Sequence, residues 1–103
     1  MPVALPSSLG TAIELDFAGI PTSSPLPTEG QNIGYVEVDV SGTVYKVALV
    51  VPEGGVQEDS FTATTNVADA LVLQVKVDDS DGTGEGTLYG SMGGTVKSIY
   101  LYW

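Results

Sequence analysis

The sequence predicts an all-β fold: a small antiparallel β-sandwich or open barrel of about six to eight strands, jelly-roll-like in one version. Three observations carry that expectation. The stretch from Gly34 to Val51 alternates apolar and polar residues on both sides of Ser41-Gly42, the pattern of a β-hairpin. The chain contains 13 glycines and 6 prolines, which interrupt strands with turns and disfavour long helices. No long window sustains a helical period.

The hairpin specifies its own register. With Ser41-Gly42 as a tight turn, Val40 faces Thr43, Val38 faces Tyr45, and Val36 faces Val47. These residues share one face. On the other, Glu37 lies across from Lys46, Asp39 from Val44, and Tyr35 from Ala48. One register therefore buries the apolar set and pairs opposite charges, whereas a slip by one residue buries Glu37, Asp39 or Lys46.

The other elements follow in order. Residues 1–8 read as a flexible N-terminal arm, with Pro2, Pro6 and two serines. Residues 9–103 form the single β domain. A strand is expected from about Leu9 to Ala18, where Ile13, Leu15 and Phe17 alternate with Glu14 and Asp16, and Gly19 and Pro21 end it. Residues 21–32 are proline-rich and extended: either a crossover or an arm laid over a neighbouring molecule. Pro52-Glu53-Gly54-Gly55 breaks the second hairpin strand, and Phe61 anchors a short strand from about Ser60 to Thr64. Ala70 to Val77 is a strand with Leu71, Leu73, Val75 and Val77 on one face. A short strand at Thr87–Tyr89 is expected to pair with Thr95–Trp103 through a turn at Gly90–Gly94. In that last strand Ile99, Leu101 and Trp103 share a face with Lys97, and Val96, Ser98, Tyr100 and Tyr102 share the other.

Composition bounds the function. The 103 residues carry 13 acids against 3 lysines, with neither arginine nor histidine, for a net charge of −10. Nucleic acid and anionic membranes are disfavoured as partners, because both require cationic contacts. No segment approaches the ~20 apolar residues of a membrane span, and the first residues lack the basic, apolar pattern of a signal peptide. Without cysteine or histidine, this chain holds no disulfide, no Ser-His or Cys-His nucleophile, and no thiolate- or imidazole-bound zinc. No Gly-Lys-Ser/Thr phosphate loop occurs. A non-catalytic protein is expected.

Two groups of residues stand out. The acidic glycine loop at 78–86 offers Asp78, Asp79, Asp81 and Glu85 as oxygen donors of the kind calcium takes. The spacing departs from an EF-hand: with Asp79 first, the closing acid falls on Gly90. A solvated hairpin loop is the simpler reading, so no cofactor is expected, and calcium is the ion to test. The second group is a set of candidate partner contacts: Pro21, Pro25, Leu26 and Pro27 in the proline-rich stretch, and Tyr100, Tyr102 and Trp103 at the aromatic C-terminal end. Small size, a proline-rich arm and an aromatic end point to a structural assembly protein. The expected type is a virion decoration or minor capsid or tail protein, homo-oligomeric, bound to a shell protein and assembled in a host cytoplasm. The alternative is a carbohydrate- or surface-binding β-module, calcium-dependent if the acidic loop holds an ion.

Overall fold

In the computed structural model the described residues are 2–3, 13–21, 26–65, 71–78, 82–90 and 94–103; side chains are described at 19–20, 26–65, 71–77, 82–90 and 94–103. Among the described residues eight strands form one sheet: β1 (Pro2–Val3), β2 (Ile13–Pro21), β3 (Asn32–Val40), β4 (Thr43–Val50), β5 (Ser60–Thr65), β6 (Leu71–Asp78), β7 (Thr83–Gly90) and β8 (Thr95–Leu101). Their order is β1-β8-β3-β4-β5-β6-β7-β2, and every pairing is antiparallel. A five-strand meander from β3 to β7 thus carries β2 on one flank and β8 with the two-residue β1 on the other.

This order requires curvature. Only five residue steps separate Gly90 at the end of β7 from Thr95 at the start of β8, a reach of at most ~18 Å. Laid flat, the five inter-strand steps from β7 back to β8 would span ~24 Å. The sheet therefore curls into an open half-barrel. Its inner face is the core, built from period-two rows: Val36, Val38, Leu49, Phe61, Ala63, Leu71, Leu73, Val75, Leu88, Ile99 and Leu101 are all buried.

The curled sheet has two wings joined at a narrow seam. One wing is β1, β8, β3 and β4; the other is β5, β6, β7 and β2. Between them, among the described residues, β4 and β5 share the pairs Leu49↔Thr65 and Val50↔Thr64. The inner edge of Trp103, just after β8, meets Phe61 of β5 in a T-shaped contact, with centroids 5.2 Å apart and planes at 75°. That contact bridges the wings with a favoured aromatic geometry.

The hairpin of β3 and β4 has the register its alternation predicts, from Val40↔Thr43 to Tyr35↔Ala48. Four expectations need correction. First, β2 does not end at Gly19. Gly19 takes a φ of +75° at a register shift, a bulge that lets the strand continue to Pro21. Proline is tolerated there because β2 is the edge of the sheet. Residues 9–12, where this strand was expected to start, lie outside the described residues. Second, β7 is eight residues long and pairs with β6 and β2, not with β8. The glycine-rich link after Gly90 carries the chain to the other wing instead of reversing it. Third, a register shift between Glu37 and Val38 places Val96 opposite Val38, where it is buried with Ile99 and Leu101. The simple alternation expected for β8 is broken by that bulge. Fourth, the acidic link shrinks. β6 runs to Asp78 and β7 begins at Thr83, opposite it.

Of the expected arm at 1–8, Pro2 and Val3 pair with Tyr100 and Ile99, and residues 4–8 lie outside the described residues. No helix among the described residues is long and apolar enough to cross a membrane.

Candidate functional site

The candidate partner residues separate into those that the domain uses internally and those that it displays. Leu26 packs against the core and Pro27 is buried. The segment that follows is tied down: the Gly30 N–H donates to Val51 O (2.7 Å), and the Gly54 N–H donates to Glu29 Oε1 (2.6 Å). Pro21 is the last residue of β2, and Pro25 lies outside the described residues. Among the three terminal aromatics, Trp103 is packed against the core. Tyr100 stacks on Tyr35 with centroids 4.9 Å apart, and Lys46 Nζ sits 3.9 Å from the centroid of the Tyr35 ring. Both faces of Tyr35 are therefore occupied, one by a ring and one by a cation. Tyr102 is displayed, at 53% exposure, while its backbone N–H donates to Ile33 O.

Of the acidic group, Asp78 and Glu85 fall within described strands. Glu85 stands on β7, exposed and paired in register with Lys76. Asp78 ends β6, and Asp79 and Asp81 lie outside the described residues. Among the described residues no group of three or more acids is placed to hold a metal ion.

One exposed surface among the described residues was not singled out in the sequence analysis. Among the described residues β4 meets β5 at Leu49 and Val50, and the far end of the β3–β4 hairpin extends past those pairs. Thr43 to Lys46 are all exposed. Val44 is 53% and Tyr45 46% exposed, which with Tyr102 makes them the exposed large hydrophobic side chains among the described residues.

The turn sets which backbone groups are free. Ser41 and Gly42 take φ of 53° and 87°, the two positive values of a type I′ hairpin turn. The Gly42 N–H also donates to Asp39 Oδ1 (2.9 Å), which holds the turn. In such a hairpin the flanking pair, Val40 and Thr43, exchanges both backbone hydrogen bonds, and bonded pairs then alternate along the ladder. Thr43, Tyr45 and Val47 therefore direct their N–H and C=O groups at β3. Val44 and Lys46 direct theirs away from it, where no described strand pairs them. Unpaired ladder groups flanked by exposed apolar side chains are a template for another strand. The two-residue turn was legible in the sequence, but the alternation placed Tyr45 on the buried face with Val36, Val38 and Val47, whereas it is 46% exposed.

A second feature lies on the outer face of the other wing. A polar trough of about 890 Å³ crosses β5, β6 and β7, lined by Ser60, Thr62, Gln74, Lys76, Glu85 and Thr87 among others. No family model, curated protein or solved structure that was compared with this chain matches it.

Proposed function

We propose that this chain is a non-catalytic structural assembly protein that works as a homo-oligomer and binds a protein shell, as a virion decoration or minor capsid or tail protein does. The observation that supports the reading is the open edge of β4, with Val44 and Tyr45 exposed beside it on an otherwise strongly acidic protein. Exposed apolar side chains along an unpaired ladder gain both hydrophobic burial and backbone hydrogen bonds on docking. Tyr102 supplies a separate exposed aromatic contact at the opposite end of the β3–β8 ladder. Two contact points on one small body suit a protein that links neighbours, and repeated copies multiply weak contacts into avidity.

The test is cosedimentation with shell particles purified from the source of the gene. The wild-type chain is expected to pellet with particles, and a Tyr45→Asp, Tyr102→Ala double variant to remain in the supernatant. A wild-type chain that stays soluble beside those particles defeats the reading.

The polar trough supports a second reading, a carbohydrate- or surface-binding module, since hydroxyl, amide and charged groups converge there. Its aromatic lining residue, Phe61, is buried and offers no open ring face for a sugar to stack on. A glycan array run with and without a calcium chelator separates this reading from the first.

A further inference from the structure

We infer that the polar trough across β5, β6 and β7 binds an uncharged oligosaccharide through its hydroxyl groups, with no stacked ring. The inference rests on reading the trough as a carbohydrate site, and it names the ligand class and the residues that hold it.

The trough is shaped by side-chain length on paired strands. The register sets Ser60, Lys76 and Glu85 in one row across β5, β6 and β7, and Thr62, Gln74 and Thr87 in the next. Residues two apart on a strand share a face, so both rows stand on the same outer side. Ser60, Thr62 and Thr87 are short and half-buried and form the floor, whereas Gln74, Lys76 and Glu85 are long and exposed and rise from it. Gln57 and Asp59, in the turn that leads into β5, bound it at that end. Hydrogen bonds fix the turn: the Gln57 N–H donates to Ser60 O (2.8 Å), the Val77 N–H to Asp59 O (2.9 Å), and the Gln57 side-chain amide to Gly54 O (3.2 Å). With strands ~4.8 Å apart and ~6.8 Å between alternate residues, the two rows cover roughly 10 Å by ~7 Å. That footprint suits a short oligosaccharide, and groups carried on paired strands are ordered before the ligand arrives.

The chemistry of the lining selects the ligand. Carboxylates accept hydrogen bonds, an ammonium donates them, and hydroxyls and the glutamine amide do both. A ligand that satisfies this mixture must itself donate and accept at closely spaced points, as neighbouring sugar hydroxyls do. An anionic ligand is disfavoured. Lys76 is the one cation lining the trough, it faces Glu85 in register, and the chain carries a net charge of −10. An apolar or aromatic ligand is disfavoured too, because the side chains of Phe61 and Val75 are each only 1% exposed. Without a stacked ring the site is a weak one, and repeated copies in an assembly would raise its strength by avidity.

The test is an NMR titration of the isotope-labelled full chain. The probes are a panel of neutral trisaccharides of glucose, galactose, mannose and xylose, with sialyllactose as the anionic probe. At least one neutral trisaccharide is expected to shift the backbone amides of residues 57–62, 74–76 and 85–87, with a dissociation constant on the order of 1–10 mM. Gln74→Ala combined with Glu85→Ala, both at exposed positions, is expected to weaken that binding at least tenfold while signals away from the trough keep their places. Lys97→Ala, exposed on β8 of the other wing, is expected to bind like the wild type. A panel in which no neutral sugar moves those amides overturns the inference. So does sialyllactose bound there more tightly than every neutral sugar, or a double variant that binds as well as the wild-type chain. The two readings fail separately. A sugar that instead shifts amides around Tyr102 sinks the trough as the site and leaves the carbohydrate-binding reading standing. A chain that binds no glycan on the array or in the titration defeats both.

Discussion

The two wings of the sheet solve the same packing problem differently. In the wing of β5, β6, β7 and β2, neighbouring strands pair along most of their length: β7 pairs with both β6 and β2 over its whole span. In the other wing, among the described residues, β4 and β5 share two residue pairs and β1 and β8 share two. The first wing pairs β5, β6 and β7 along most of their length and leaves its sheet edge at β2, and the described outer side chains of β5, β6 and β7 are mostly polar. The second leaves ladder groups unpaired and covers part of its outer face with the Tyr100–Tyr35–Lys46 stack. Complete ladders make a scaffold, and incomplete ones make a surface that can still bond. The assembly reading places contact on the second wing for that reason.

The contrast can be broken at its bridge. Phe61→Ala removes a fully buried ring and the contact with Trp103 that joins the wings. A loss of roughly 3–5 kcal/mol is expected, measured by urea unfolding. The emission of Trp103, the only tryptophan, should shift to the red as its neighbour disappears. Gly34→Ala attacks the second wing alone. A Cβ there would run into the backbone carbonyl oxygen of Tyr100 and lie 3.0 Å from Leu101 Cα, so β3 and β8 must separate. A loss of roughly 2–3 kcal/mol is expected from overpacking against backbone. Gly42→Ala forces a side chain into a φ of +87° in the hairpin turn, in open space. That should cost about 1 kcal/mol without changing the fold. Lys46→Met keeps the stem over Tyr35 and removes the cation, for a loss of about 0.5 kcal/mol.

Amide exchange sharpens the same comparison without a mutation. In dilute solution the N–H groups of Val44 and Lys46 should exchange like those of exposed turns, while those of Tyr45 and Val47 are slower by about 100-fold or more. Protection of all four would show that the edge is covered within a single molecule.

What the sequence revealed was local. The β3–β4 register was legible because Ser41-Gly42 fixes the turn and Glu37, Asp39 and Lys46 forbid a slip. The strand carrying Leu71, Leu73, Val75 and Val77 was legible for the same reason. Pairings between distant segments were not. The stretch Gly90–Gly94 has the same composition whether it reverses the chain or carries it across the barrel, so β7 and β8 were joined wrongly. Bulges at Gly19 and at Val96 change which residues face inward, and period-two reasoning has no term for an inserted residue. The surface was legible in part. Tyr102 is exposed, and Leu26, Pro27 and Trp103 are held within the domain. The edge at Val44 and Tyr45 depends on where β5 stops, which is a property of the assembled sheet.

The position of β8 has a consequence for synthesis. β3 receives β4 within moments of leaving the ribosome, but its other neighbour comes from nearly the far end of the described chain. Until β8 is made, a nascent chain carries a bare ladder on β3 with Val36 and Val38 beside it. Folding that waits on so distant a partner is slow, and crowded polysomes would give these half-made chains time to stick to one another.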